Sequence, residues 1–140
     1  MTEVSMMRLY LLRALYALIC FGEGSRIWPL VFHHGQWSMM HSVAIALLAA
    51  FTALCALGIR YPLQMLPLLL FEVLWKTIWL TAIALPLWRT NQLNGEMLET
   101  TRDTLVVVII PFILPWGYIW ANYVKKPGDR WTVVRKPTSA

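Results

Sequence analysis

Two residues of opposite charge lie within a long apolar segment of the sequence. Glu72 and Lys76 are the only Asp, Glu, Lys or Arg residues between positions 61 and 88. Residues four apart share one face of a helix, so their side chains can pair. A charged side chain at the bilayer centre costs roughly 3 kcal/mol on insertion scales. Two such residues therefore require pairing, neutralisation or a polar cavity.

This charged pair has two interpretations. It is either an internal salt bridge that only orients its helix, or part of a buried pocket that holds a ligand, a proton or a substrate. Gln64 lies two helical steps before Glu72 and would extend the polar strip, and Trp75 and Trp79 would line it. Arg13 either completes this ligand-binding site or snorkels to the membrane interface instead.

Metal binding is a weaker hypothesis. Imidazole and carboxylate groups are ligands for zinc or copper. The candidates that the predicted topology places on the extracytoplasmic side of the membrane are His33, His34 and His41 with Glu23, Glu96, Glu99 and Asp103. No HxxxH or HExxH spacing accompanies them, so we predict no metal and interpret them as interfacial polar residues. Cys20 and Cys55 lie in apolar runs without ligand spacing.

The sequence contains no GxSxG, GxxxxGKS/T or GxGxxG motif. These absences argue against a hydrolytic or nucleotide-driven enzyme, and no cofactor is indicated. The net charge of +5 is carried by residues that flank the apolar blocks and do not form one patch. Membrane lipids are therefore the expected partners, and nucleic acid is not.

The elements that must position these residues follow from composition. Of 140 residues, 59% are hydrophobic and 14% are charged, which is too apolar for a soluble domain. The apolar residues form four blocks, each near the roughly 20 residues that span a bilayer. We predict an all-α fold, an integral-membrane four-helix up-down bundle that forms a single transmembrane domain over residues 1–140. The predicted spans are at about 6–22, 37–58, 61–88 and 104–124, and a basic tail follows over 125–140.

Local signals predict where the spans begin and end. The glycines at 22 and 24 should end the first helix, and residues 27–32 should form an interfacial or re-entrant segment. Pro62 suits the start of the third helix, which should bend at Pro67 and Pro86 without ending. The next signals are a turn at 91–95, helix caps at 100–103, and a kink at Pro111 and Pro115.

Charge asymmetry predicts orientation. One side of the membrane would collect Arg8, Arg13, Arg60, Lys125, Lys126, Arg130, Arg135 and Lys136, and the other only Arg26, Arg89 and Arg102. By the positive-inside rule, the first side is the cytoplasm. We therefore predict a multi-pass protein of the bacterial inner (plasma) membrane with cytoplasmic N- and C-termini.

Small residues on the second span suggest a surface for helix contact. Ser42, Ala46, Ala50 and Gly58 follow at four-residue steps interrupted by Leu54. Small residues at this spacing allow two membrane helices to approach closely.

Three runs of residues resemble those of small, uncharacterised bacterial inner-membrane proteins. These are residues 60–67 (RYPLQMLP), 115–123 (PWGYIWANY) and 126–131 (KPGDRW). The resemblance implies a four-helix bundle in the inner membrane and no known reaction. The topology is also similar to that of DoxX-like proteins, which carry a buried acidic residue in a four-helix bundle. No functional residue is transferred from either group.

The leading functional hypothesis is a site that binds or acts on a small lipophilic molecule at Glu72 and Lys76. The alternative is a noncatalytic accessory or assembly subunit that docks onto a larger membrane complex or onto itself as a homo-oligomer. A third is a proton-coupled transporter, which with only four spans would have to be an oligomer.

Overall fold

The structure is a computed structural model that describes residues 4–33, 35–133 and 137–138. These residues form five helices and no strands, so the predicted all-α class is confirmed. The helices are α1 (6–32), α2 (Met39–Arg60), α3 (Leu66–Arg89), α4 (Gly95–Ile113) and α5 (Trp116–Lys125). Helices α2 and α3 are long and apolar enough to cross a membrane, and a third such span exists if α4 and α5 together make one.

Helix α1 is longer than predicted. It consists of α-helical Met6–Ala17, π-helical Leu18–Glu23 and α-helical Gly24–Phe32, which follow one another without a break. The predicted end of the first helix at the glycines is therefore wrong, and residues 27–32 belong to that helix and form no separate re-entrant loop. Gly24 is buried beside Thr52 of α2, where an added Cβ would meet the Thr52 Cβ at 3.6 Å. Packing against α2 outweighs the low helix propensity of glycine.

Helices α1 and α2 pack antiparallel along most of their length. At one end the Tyr16 ring lies so close to Gly58 that any Cβ there would overlap it. At the other end Ile27 packs against Ile45 and Ala49. Gly58 thus makes the close helix approach expected of a small residue in a membrane helix.

Helix α3 begins at Leu66 and not at Pro62. Residues 62–65 form a turn in which the Met65 N–H donates to the Tyr61 carbonyl at 3.1 Å, and Pro67 lies in the first helical turn. Near the other end, the π-helical turn Leu80–Ala84 precedes Pro86. This wider turn accommodates the proline ring, so the helix continues past Pro86 as predicted. Pro67 lies at the start of the helix and not inside it, and the bends predicted at the two prolines stay predictions.

The predicted fourth span differs from the structure at both ends. Residues 90–94 connect α3 to α4, so the predicted turn at 91–95 is present except for Gly95, which begins α4 and whose φ of +56° favours glycine. The predicted caps at 100–103 lie inside the helix. Pro111 follows a 3₁₀ turn, Val106–Ile109, without ending the helix. Leu114 is extended with ψ of 133°, as the residue before a proline prefers, so the predicted kink at Pro115 is a break.

The chain forms two compact units, Ser5–Leu114 and the chain ends Met1–Val4 with Pro115–Ala140. The first unit contains α1 to α4 and every candidate site described below. The second contains α5, which is π-helical over Trp120–Lys125, and the described part of the basic tail. The assignment of all 140 residues to one domain stays a prediction.

Candidate functional site

Glu72 and Lys76 form a salt bridge within α3, between Lys76 Nζ and Glu72 Oε1. The Glu72 side chain is 1% exposed and the Lys76 side chain 13% exposed. The predicted pairing on one helical face is therefore present, and both charged groups are largely buried in the protein. Because both are desolvated, each depends on its partners for compensation.

Trp75 completes the coordination of the Glu72 carboxylate. Its indole Nε1 donates to Glu72 Oε2 at 2.8 Å, and the Lys76 ammonium lies 5.6 Å from the centre of its ring. Each carboxylate oxygen therefore has one donor from α3 itself. A buried carboxylate with both oxygens bonded is satisfied, whereas loss of either donor would leave a buried acceptor unpaired.

A second carboxylate, Glu23 of α1, belongs to the same region. It is partly buried and within electrostatic range of both Glu72 and Lys76. From the sequence, Glu23 was named only among the possible metal ligands, because the first helix was predicted to end at the glycines on either side of this residue. The one feature of the sequence that could have indicated its role is that Glu23 is an acidic residue directly after an apolar run. Cys55 of α2 is also near Glu23 and Glu72, so titratable groups from three helices converge here.

The other predicted site residues are not brought to the charged pair. Gln64 lies in the turn before α3, so its predicted place on the Glu72 helical stripe is wrong. Arg13 contacts α2, where its Nε donates to the Ile59 carbonyl at 3.1 Å. Arg13 and Gln64 instead line a cavity of about 220 Å³ at the turn between α2 and α3. Trp79 lies on α3 four residues after Trp75 and is partly buried.

A second cavity, of about 350 Å³, lies between α3 and α4. Its walls are apolar apart from two threonine hydroxyls, and its lining residues are Val73, Thr77, Leu80, Thr81, Val107, Val108, Pro111 and Phe112. Two of them, Val73 and Thr77, directly follow Glu72 and Lys76 in α3. Neither Glu72 nor Lys76 lines either of these two cavities. We call the larger one the α3–α4 cavity.

The histidines do not assemble with other ligands in the described structure. His33 follows the end of α1, and His34 lies outside the described residues. The His41 ring contacts the Trp37 ring in a tilted arrangement, with centroids 5.1 Å apart. Among the described residues, no three His, Cys, Asp or Glu side chains are arranged to hold a metal ion. One acidic residue of the proposed ligand set, Asp103, is instead paired with Arg26 at 3.4 Å.

The chemistry of the site is that of a polar cluster in apolar surroundings. No family model, curated protein or solved structure matches the chain. In the part of the chain that the structure describes, the Lys76 ammonium has one hydrogen-bonding partner, Glu72, although it carries three donor hydrogens. It can therefore still donate to a carbonyl or hydroxyl oxygen of a bound molecule.

Proposed function

We propose that this chain is a four-span protein of the bacterial inner membrane, with both termini cytoplasmic, that binds a small lipophilic molecule in the α3–α4 cavity beside the Glu72–Lys76 pair. Its likeness to small bacterial inner-membrane proteins and the positive-inside pattern support the location and the orientation. The ligand would have an apolar body and a carbonyl or hydroxyl oxygen.

The packing of α1 supports four spans. Helix α1 carries four charged residues and is not counted among the helices apolar enough to cross a membrane. However, it contacts α2 from Tyr16 at one end to Ile27 at the other, and α2 is long and apolar enough to span. A helix that lies antiparallel along a spanning helix occupies the same depth range. Helix α1 would therefore cross with α2, and α4 would return the chain beside α3.

The observation that carries the proposal is the α3–α4 cavity itself. Its volume of about 350 Å³ is within the roughly 300–1,000 Å³ of small-molecule sites, and such sites are mostly apolar with a few polar groups. Two of its lining residues lie in the same helical turns as the charged pair. An apolar cavity beside a buried charge pair suits a molecule that partitions into lipid and has one polar end.

The polar end has a defined donor in this proposal. Lys76 is the more exposed member of the pair, at 13%, and has donor hydrogens beyond the one that Glu72 uses. Thr77 and Thr81 already donate to helix carbonyls, Val73 O at 2.6 Å and Thr77 O at 2.8 Å, so their hydroxyl oxygens remain as acceptors. The cavity would then offer two hydroxyl acceptors on an apolar wall, and the Lys76 ammonium, which does not line the cavity, would donate from the adjacent helical position.

A cavity-filling variant tests this function. Thr77→Phe introduces a ring at a lining position, and Ile78→Phe introduces the same ring at the next residue, which is exposed and does not line the cavity. We expect the wild type and Ile78→Phe to retain a small lipophilic molecule through purification in mild detergent, and Thr77→Phe to lose it. Native mass spectrometry of the intact chain measures the retained mass. Equal retention in both variants, or none in the wild type, would contradict the proposal.

A second candidate function, the accessory subunit, is favoured by the outer face of α2. Ser42, Ala46 and Ala50 are exposed, whereas only Gly58 of the predicted small-residue stripe is buried, against α1. Exposed small residues on a spanning helix suit contact with another helix. The same mass spectra distinguish this candidate, because a dimer or a copurifying subunit would support it and a bare monomer would oppose it.

A further inference from the structure

The smaller cavity lies where two apolar helices end together. Its six lining residues are Leu9, Arg13, Tyr61, Pro62, Leu63 and Gln64. Helix α2 ends at Arg60 and α3 begins at Leu66, so the turn between them lies at one face of any membrane that these helices cross. In the membrane location proposed above, on which this inference rests, the cavity lies at the depth of the lipid headgroups. We call it the interfacial cavity.

Two long-range hydrogen bonds hold this cavity in shape. The fully buried Tyr16 side chain donates through its hydroxyl to the Pro62 carbonyl at 2.9 Å, and Arg13 Nε donates to the Ile59 carbonyl at 3.1 Å. Both bonds join α1 to the segment that ends α2 and starts the turn. The cavity wall is thus preorganised, and α1 cannot move Arg13 away from the cavity without breaking its hydrogen bond to the Ile59 carbonyl.

The free donors at this cavity are cationic or amide groups. Arg13 uses Nε for Ile59, and within the described residues its two Nη groups have no hydrogen-bond acceptor. The Gln64 side chain is exposed, and the Arg60 guanidinium lies 5.4 Å from the ring centre of the lining residue Tyr61. No acidic residue is among the described residues that line the cavity. This arrangement attracts an anion with several oxygen acceptors.

We propose that the interfacial cavity binds the phosphate of an anionic phospholipid headgroup, with Arg13 as the main donor and Gln64 as a second donor. Its volume of about 220 Å³ is below the roughly 300–1,000 Å³ of drug-sized ligand sites, so it suits a headgroup and not a whole lipid. The planar guanidinium matches phosphate oxygens in pairs. The acyl chains would lie along the apolar surface of the helices.

Lipid titration of the purified full-length chain tests the site. Phosphatidylglycerol, phosphatidylcholine and inorganic phosphate are added separately in mild detergent, and bound lipid is counted by native mass spectrometry. We expect phosphatidylglycerol to bind more tightly than phosphatidylcholine. Arg13→Gln should weaken phosphatidylglycerol binding about tenfold, because a charge-assisted, two-pronged contact is lost. The matched control is Arg89→Gln, at the opposite end of α3, which should change the affinity less than about twofold.

Gln64→Leu keeps the test valid if Arg13→Gln fails to fold. Gln64 lies in the turn with an exposed side chain, so its replacement should preserve the fold seen by circular dichroism and weaken phosphatidylglycerol binding about fivefold. Equal binding of the two lipids, or equal loss in Arg13→Gln and Arg89→Gln, would overturn the proposal. Displacement of phosphatidylglycerol by millimolar inorganic phosphate would also overturn it, in favour of a site for free phosphate.

Discussion

The two ion pairs in the described structure lie in opposite surroundings. Glu72 and Lys76 are four residues apart on α3, with side chains 1% and 13% exposed. Arg26 and Asp103 lie on different helices, 77 residues apart in the chain, with side chains 75% and 71% exposed and a nitrogen–oxygen distance of 3.4 Å. The first pair is local and buried in the protein, whereas the second is long-range and exposed on its surface.

This comparison shows that sequence separation is a poor guide to what a pair contributes. A contact across 77 residues looks as if it should hold two helices together, but an ion pair whose groups are exposed to water contributes little net energy. The local pair closes no long loop, yet breaking it would leave one charge uncompensated in apolar surroundings. Burial, and not chain distance, therefore decides which pair the fold depends on.

The largest expected effect on stability comes from replacing only one residue of the buried Glu72–Lys76 pair. Glu72→Gln and Lys76→Met should each destabilise the protein by on the order of 3–5 kcal/mol, because the remaining charge stays buried without its partner. Glu72→Leu combined with Lys76→Leu should recover or exceed wild-type stability if the pair is only structural. Thermal aggregation of the four proteins in mild detergent measures this.

The same variants separate structure from function. A double variant that is stable but no longer retains the lipophilic molecule would show that the pair serves binding. Single variants as stable as the wild type would show that the two side chains are hydrated in the membrane, and the contrast between the two ion pairs would disappear.

A smaller effect is expected when the carboxylate loses its indole partner. Trp75→Phe keeps an aromatic ring but removes the donor to Glu72 Oε2, which should cost about 1–3 kcal/mol for an unpaired buried acceptor. Trp79→Phe is the control, since it makes the same change one turn further along α3. Chemical unfolding of both variants in detergent micelles provides the comparison. A loss of equal size in Trp79→Phe would mean that the Trp75 hydrogen bond adds nothing specific.

The smallest effect is expected at the exposed pair. Arg26→Gln, Asp103→Asn and their combination should each change stability by at most about 1 kcal/mol. The coupling between them should shrink further in 1 M salt, where the screening length is about 3 Å. A double-mutant cycle at low and high salt measures this coupling. A coupling as large as that of the buried pair would contradict the argument from burial.

Much of the fold was predictable from composition and local signals. Apolar block length indicated α2 and α3 to within a few residues at most boundaries, because about 20 apolar residues in a row suit a helix in lipid. The pairing of Glu72 with Lys76 followed from four-residue spacing alone, since that spacing is a local property of any helix. The break before Pro115 has a local cause as well, although its severity was underestimated.

The composition of the site depended on contacts between helices. Gly22 and Gly24 both have low helix propensity, and the packing of Gly24 against Thr52 of α2 supports a continuous α1 that brings Glu23 within electrostatic range of the charged pair. Likewise, the turn at 62–65 removes Gln64 from the helical stripe and places it beside Arg13.

The sequence by itself thus determined where the apolar helices α2 and α3 lie and which charges pair within one helix, because block length and four-residue spacing are local properties of the chain. Only the tertiary structure decided that Glu23 lies near Glu72, that Arg13 and Gln64 share a cavity, and that Arg26 reaches Asp103. Such contacts depend on how whole helices align and how closely small residues let them approach, and that alignment is the result of packing summed over many side chains.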